Sequence, residues 1–480
     1  MLEEILARVK PKLSSTVGLR NLSEEDLAHH YHRFQLMRLR AERLAGNLIP
    51  RSGRVRVVAT ACWGFPIYSQ TFVYQELAQL IGQDFDLRFF YSSLNPRDHL
   101  PAQFSRLWAA KRKLVTHDSV YESDYAYFKD RAPEKIESLV EQLCRASGMP
   151  PQELRNHYHF RQAFSFARMV EAYRPDYLHS YFFYEGTLFT LFASHLLDIP
   201  RGVSCYSDHV LKDYPLKVVA LHLEQSSVVI ATSHRIKREL MSLAPHADPD
   251  KIVVKPNAIN SARFPVAARK EPGSGQPYRL VCVSRIEPKK GTIYLVEAIR
   301  HLLDRNVNVS MHVLGGVDED AASKDYAQVV ELRIAELGLS AVFHLEGRKP
   351  EPEIRRFLDG AHLFVAPFVE TESGDKDGIP TALLEAMATG LPAVATDAGS
   401  IIEVIDDGQD GVIVPQRDSI SLAGAIEELL LDSERRWRLG RRAANKIRQR
   451  FDVGICERLF HERIRTVVAC RGEITATAPE

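Results

Sequence analysis

The sequence predicts an α/β protein: two Rossmann-like, doubly wound domains facing each other across a cleft, with a helical N-terminal extension and a helical insertion. At 480 residues the chain exceeds what a single hydrophobic core serves. Short runs rich in Val, Ile, Leu and Ala alternate with helical patterns twice over, which is how parallel sheets with helical crossovers read in sequence. Between the two series lies 265–277, PVAARKEPGSGQP, which holds three Pro and two Gly without apolar periodicity and has the composition of a linker.

Residues 1–50 form the helical extension. Ser23 followed by Glu24-Glu25-Asp26 marks a helix start with acids in its first turn, and Leu27, Tyr31 and Phe34 continue an apolar stripe to about Leu44. The first domain, 51–264, opens on a buried strand at Val55–Thr60, a loop over 62–70 and a helix from about Thr71, with a further strand at Phe85–Tyr91. The loop holds one Gly, Gly64, so it is not a dinucleotide fingerprint and a nicotinamide cofactor is rejected. Residues from about 95 to 172 read as the helical insertion. Arg106, Lys111, Arg112 and Lys113 make it locally basic, either as a solvated helical face or as part of an acceptor pocket. From Asp176 the rhythm resumes, with strands at Tyr177–Ser180, Gly202–Cys205, Val228–Ser233 and Lys251–Lys255 and a helix at Arg235–Leu243. His179 and His209 sit at or just past strand ends, where sites form. A lone His is more often structural than catalytic, and both readings stay open.

The second domain, 278–450, starts with a strand at Leu280–Val283, a loop over Ser284–Gly291 and a helix over Thr292–Leu303. Strands follow at Val309–Leu314, Val342–Leu345, Leu363–Pro367, Ala393–Thr396 and Ile413–Pro415. The stretch 370–392, ETESGDKDGIPTALLEAMATGLP, places Glu370, Glu372, Asp375 and Asp377 in a loop that feeds a helix. Pro380 suits the first helical position and Gly390 with Pro392 the stop. Thr381, Glu385 and Thr389 make a polar stripe at a spacing of four. Residues 451–470 are expected to be a helix returning to the first domain, and 471–480 a disordered tail.

Composition excludes several classes. Sixty-two basic residues balance sixty-two acidic ones, so the chain carries no overall electrostatic footprint for nucleic acid. Six cysteines lie far apart without metal-like spacing, which points to free thiols in a reducing compartment. The start, MLEEILARVKPKL, is neither a signal peptide nor a span, and the most apolar window, Tyr181–Ile199, contains Glu185, Gly186 and His195. A soluble cytoplasmic protein is expected. The basic helix Arg435–Arg450, with Trp437, reads as a solvated surface or as a peripheral contact with the inner membrane surface or a lipid-linked acceptor.

Three features converge at the strand carboxyl ends of the second domain. Arg285 and Lys290 sit in a loop entering a helix, where dipole and cations together favour a diphosphate. The Gly347-Arg348 turn lets a flat base approach backbone. The carboxylates of 370–392 suit vicinal hydroxyls, as in ribose or sugar. Together they describe a site for a nucleotide-diphosphate sugar. Asp318-Glu319-Asp320 lacks a second ligand cluster and reads as solvated loop, so no essential metal is expected.

These residues resemble the retaining family 4 glycosyltransferases of GT-B fold (glycosyl transferases group 1) over about 278–415. Ser284-Arg285…Lys290-Gly291 resembles that family's diphosphate loop, and Asp377-Gly378-Ile379-Pro380…Leu384-Glu385-Ala386-Met387-Ala388 its acidic, seven-residue gap, Glu motif. Asp407-Gly408 and Gly411 resemble its closing turn. In the first domain Phe65-Pro66…Ser69-Gln70-Thr71-Phe72 and Pro256-Asn257…Phe264 are similar to family segments, while 1–50 and 95–172 are not covered. Asp377 stands where the family usually has Glu, Tyr206 where it often has His (with His209 three residues on), and Ala258 where it usually has Gly.

The resemblance implies retaining transfer of a sugar from a nucleotide sugar to a hydroxyl acceptor (saccharide, lipid-linked saccharide or small molecule), in polysaccharide, glycolipid or glycoconjugate biosynthesis, with no cofactor. Arg285 and Lys290 would stabilise the departing diphosphate, Glu385 would hold ribose hydroxyls, Asp377 would position the sugar, and His209 would complete the catalytic set by substituting for the family's usual His, unless that contact is lost. Gly347, Arg348, Gly378, Ile379, Pro380 and Thr381 would line the donor site, and Phe65, Pro66, Ser69 and His179 the acceptor side. Two other readings are a non-catalytic GT-B homologue that binds a sugar nucleotide or scaffolds a partner enzyme, and a sugar-nucleotide epimerase, which the spacing around Glu385 disfavours.

Overall fold

The computed structural model describes residues 22–48, 54–60, 64–67, 70–83, 85–95 and 100–477. In chain order the strands are β1 (Arg56–Thr60), β2 (Gly64–Phe65), β3 (Asp86–Tyr91), β4 (Ser93–Leu94), β5 (Lys111–Lys113), β6 (Tyr177–Tyr181), β7 (Arg201–Cys205), β8 (Val228–Ala231), β9 (Ile252–Val254), β10 (Tyr278–Val283), β11 (Val309–Leu314), β12 (Phe343–Gly347), β13 (Leu363–Ala366), β14 (Ala393–Thr396) and β15 (Val412–Val414). The chain forms two compact units, Met1–Tyr68 with Leu80–Arg201 and Leu216–Gln225, and Ser69–Gln79 with Gly202–Pro215 and Ser226–Glu480.

In the first unit β5, β3, β1 and β6 lie side by side and parallel, with Ala59 beside Phe89 on one flank and His179 on the other. The helix Glu24–Leu48 is started by a reciprocal cap. Ser23 Oγ accepts from the Asp26 N–H, and the Asp26 carboxylate accepts from the Ser23 N–H, each at 3.1 Å. Ala28, Leu36 and Leu39 are buried, and the helix packs on Asp118–Arg131 and Tyr158–Tyr173. The expected helical extension otherwise falls at 1–21 and 49–50 outside the described residues.

Residues 95–172 are not helical throughout, because Lys111–Lys113 pairs with Phe89–Tyr91 as an edge strand. Alternation along that strand splits the basic run between two faces. The Arg112 guanidinium is buried and donates to Glu42 at 2.7 Å, beside Arg88 at 2.8 Å, while Lys111 lies 3.7 Å above the Trp108 ring. The run is therefore no solvated helical face. Three residues are too few to show a period in sequence, and the acid that neutralises Arg112 is 70 residues away.

In the second unit β7, β8 and β9 are parallel. The helix His234–Leu243 follows β8, its Ser233 cap accepting from the Ile236 N–H, and the helix Val453–Thr477 packs on β8. That helix runs through Thr477, which corrects the expected disorder over 471–477; residues 478–480 are outside the described set. The remaining six strands form a parallel sheet in the order β12-β11-β10-β13-β14-β15 around a core of Val, Ile, Leu and Ala. The order reverses between β10 and β13, and at such a switch point the two adjacent loops part and leave a crevice at the strand carboxyl ends.

The Pro- and Gly-containing segment after Phe264 is strapped to this body. Arg269 donates to Thr389 O at 2.6 Å and Leu358 O at 2.9 Å, and Glu271 accepts from Arg436 at 2.5 Å and from the Trp437 indole at 2.9 Å. Arg436 is fully buried. On the helix Ser433–Arg450 the indole of Trp437, read from sequence as either solvated surface or a membrane contact, is thus held by a carboxylate, and Lys446 is paired with Asp406 and Asp410. Among the described residues no helix is long and apolar enough to cross a membrane.

Candidate active site

The loop after β10 is stitched to the end of β11: Ser284 N–H donates to Leu314 O and Ile286 N–H to Gly316 O, both at 3.0 Å. Two glycines make this approach feasible. A Cβ on Gly315 would stand 1.9 Å from Ser284 O, and one on Gly291, at φ +61°, 2.0 Å from Pro367 O. The loop so fixed presents Arg285, Lys289 and Lys290 at the crevice.

Each of these cations has carboxylates waiting. Lys290 donates to Asp377 and lies 4.4 Å from the Phe368 ring centre, Lys289 approaches Asp375 at 3.1 Å, and Arg285 pairs with Asp318 and, at 2.9 Å, with Glu287. Burial opposes the charge on Asp377, yet Lys290, Lys289 and Arg285 together hold its pKa below the ordinary carboxylate value. Burial likewise opposes the guanidinium of Arg285, and Glu287 and Asp318 more than offset it. Glu287 itself is pushed up by burial despite its cationic neighbours. Asp318 is therefore not merely solvated loop, and Asp320 caps the helix Ala321–Glu336 by accepting from the Ser323 N–H at 2.9 Å. Asp375, a loop acid of the 370–392 stretch, joins the cluster through Lys289, while Glu370 pairs with Lys376 at 2.9 Å.

The turn Asp377-Gly378-Ile379 is clamped from loops of the β7–β9 set. Arg235 donates to Asp377 O at 3.2 Å and Asn257 to Ile379 O at 2.8 Å, and a Cβ on Gly378 would meet Ser207 Oγ at 3.3 Å. Pro380 stands immediately before the helix Thr381–Ala388, one place earlier than expected. Arg235 also grips Glu239 at 2.7 and 2.9 Å. Glu239 takes His209 Nε2 at 2.8 Å as well, with Lys376 at 3.5 Å. Burial works against this carboxylate, but His209, Arg235 and Lys376 bring its pKa down to about 2. His209 Nδ1 lies 3.1 Å from Cys205 Sγ, so both ring nitrogens are engaged and the side chain is closed to solvent. It sits where it orients Glu239. Tyr206 instead donates to Glu76 at 3.4 Å, a carboxylate that Lys255 pairs at 2.6 Å.

Glu385, in the same helix as Thr381, is the contrast. It is half-buried, and among the described residues no side chain forms a hydrogen bond or ion pair with it. Burial first, and the charge of Glu351 second, push its pKa to about 8 against the opposing effect of Arg263. Glu351 lies four residues beyond Gly347, whose φ of +67° turns the chain at the end of β12 and whose carbonyl accepts from the Gly315 N–H at 2.9 Å. Arg348 beside it is exposed.

On the acceptor side Ser69 is outside the described residues. Phe65 is buried in the first unit, 4.8 Å from Phe89 and 5.5 Å from the exposed Trp108, and a cis peptide links it to Pro66. His179 is buried in β6, its ring 5.1 Å from that of Tyr181 and its Nδ1 3.3 Å from Tyr177 Oη. Sequence reasoning missed Lys289, Asp318, Arg235, Glu239 and Asn257 as parts of the arrangement. The spacing of four between Arg235 and Glu239 signals a helical ion pair, but not the loop it serves.

Two family models match the chain in succession: Glycosyltransferase Family 4 over residues 120–263 and Glycosyl transferases group 1 over residues 266–446. The chain belongs to the group 1, family 4 glycosyltransferases. It is 30% identical to WcaL of Salmonella typhimurium over 268 residues, 56% of this chain and 63% of that one; the name of WcaL assigns it provisionally to colanic acid biosynthesis. It is 32% identical over 249 residues to the amylovoran biosynthesis glycosyltransferase AmsK of Erwinia amylovora, 51% of this chain and 55% of that one. The chain thus spans somewhat more than half the length of these curated relatives. Solved structures show the fold. HepE of Anabaena, crystallised with UDP and glucose, gives a TM-score of 0.64 at 15% identity over 86% of this chain and 100% of that one. Sucrose-phosphate synthase of Thermosynechococcus elongatus gives 0.67 at 16% over 87% and 100%. The family member described here has the GT-B architecture of two parallel-sheet, Rossmann-like domains.

Proposed function

We propose that this chain transfers a sugar, with retention and without an essential metal, from a nucleoside-diphosphate sugar to a hydroxyl acceptor in polysaccharide, glycolipid or glycoconjugate biosynthesis. The observation that carries the reading is the gathering of Arg285, Lys289 and Lys290 at the strand-order reversal, opposite the Asp377-Gly378 turn. Three cations on a stitched loop, next to a helix start, suit a diphosphate that gains charge as the bond to the sugar breaks. Asp377 and the backbone after it would position the sugar, while Glu385 and Gly347-Arg348 would hold the nucleoside. With a pKa near 8, Glu385 is mostly protonated at neutral pH, so it both donates to one ribose hydroxyl and accepts from the other. The full pairing of His209 assigns it to orienting Glu239 and, through Arg235, the Asp377 turn. The names of WcaL and AmsK favour a polysaccharide product, and the HepE complex with UDP and glucose favours a nucleoside-diphosphate sugar as donor.

Incubation with a panel of nucleoside-diphosphate sugars tests this, with released nucleoside diphosphate measured in wild type and in Arg285→Ala. Slow release from at least one donor, lost in the variant, is expected. Binding of a donor without any release, with or without saccharide acceptors, would overturn transfer and favour the non-catalytic homologue.

A further inference from the structure

The helix Glu24–Leu48 carries a face that its packing leaves over. Its inner side, with Ala28, Leu36 and Leu39, is buried. Its outer side exposes Phe34 at 53%, Met37 at 62% and Leu44 at 56%, with exposed Ala41 between them. Spacings of three, four and three align these side chains in one strip. Large apolar residues contiguous on the surface of an already docked helix mark a contact site rather than routine exposure.

Cations border the strip. Arg33 and Arg40 are exposed and Arg43 is half-exposed. Partial burial lowers the pKa of Arg43, and so do the like charges of Arg174, Arg56 and Arg40, which places four guanidinium groups in one neighbourhood. Asp176 approaches that group at 3.8 Å from Arg56. The acids of the helix itself are turned elsewhere: Glu42 faces Arg88 and Arg112, and Glu24, Glu25 and Asp26 sit in the first turn at the far end.

We propose that this face is a membrane-contact surface, in which Phe34, Met37 and Leu44 enter the headgroup layer of an anionic bilayer while Arg33, Arg40, Arg43 and Arg174 engage lipid phosphates. Apolar insertion and cationic attraction reinforce each other on such a helix, and neither alone holds a protein at a bilayer. A second copy of the chain fits less well, since apposing the same face would bring arginines against arginines. The proposal is independent of the donor site and replaces the helix Ser433–Arg450 as the surface for a membrane.

Cosedimentation of the full chain with vesicles tests it, without donor or acceptor. Binding to phosphatidylcholine vesicles containing phosphatidylglycerol, none to pure phosphatidylcholine, and weakening by salt are expected. The double variants Phe34→Glu/Met37→Glu and Arg33→Glu/Arg40→Glu, all at exposed positions, are expected to lose roughly tenfold or more in binding with unchanged melting. Wild type that ignores anionic vesicles, or variants that bind them as wild type does, would overturn the proposal. So would a dimer in ultracentrifugation without lipid that both variants abolish, which assigns the face to a second copy.

Discussion

Lys290 donates its ammonium to the carboxylate of Asp377, so the group proposed to receive the donor's diphosphate is already neutralised by the group proposed to position the sugar. The two charges make opposite predictions. Lys290→Ala removes attraction for the diphosphate, and kcat/KM for transfer is expected to fall by about 10²–10³ with weaker binding of nucleoside diphosphate. Asp377→Asn releases Lys290, so calorimetry should find nucleoside diphosphate bound at least as tightly as by wild type while transfer falls. Equal weakening of nucleoside diphosphate in both variants would contradict this division of roles.

Glu385 links the site to pH. Its folded pKa of about 8 lies above that of an unfolded carboxyl, so between pH 4.5 and 8 the folded state holds a proton that the unfolded state has lost. The group therefore costs stability increasingly as pH rises through that window, and nothing below it. Glu385→Gln removes the cost. Its unfolding free energy, from chemical denaturation, is expected to match wild type near pH 4 and exceed it at pH 8 by an amount on the order of 1–3 kcal/mol after allowance for partial exposure. A constant offset across pH would refute the cause assigned here. Donor affinity is expected to change little in the same variant, since an amide, like the neutral acid, donates to one ribose hydroxyl and accepts from the other.

Glu239 behaves in the opposite sense. Its folded pKa of about 2 is below the unfolded value, so it contributes stability above about pH 4.5 that disappears as pH falls toward 2. Glu239→Gln is expected to cost about 1–2 kcal/mol at neutral pH, discounted because the side chain is 26% exposed, with the difference vanishing in acid. Chemical denaturation at several pH values reads this directly. Because Arg235 then loses its anchor, kcat for transfer is expected to drop with KM for donor changed less, as befits a residue that positions the Asp377 turn.

Much of the fold was legible because its signals are local. Strands β10, β11, β13 and β14 read as short apolar runs, and the Arg285–Gly291 loop and the Asp377–Glu385 spacing lie within single segments whose glycines and prolines mark the turns. The edge strand Lys111–Lys113 was not legible, since three charged residues show no period and their place depends on the neighbouring β3. Nor were Arg235 and Asn257, which touch the Asp377–Ile379 turn across 142 and 122 residues of chain, or Glu239, which holds Arg235.

The sequence by itself therefore determined the fold class, the family and the candidate donor loops, because backbone turns and hydrophobic periodicity act between residues close in the chain. Tertiary structure alone decided which carboxylate neutralises which cation. Lys290 meets Asp377, Arg285 meets Asp318, and Glu385 meets none among the described residues. Those pairings follow from which strand ends the reversed sheet order brings side by side, and burial then sets the pKa of each carboxylate, neither of which leaves a trace in local spacing.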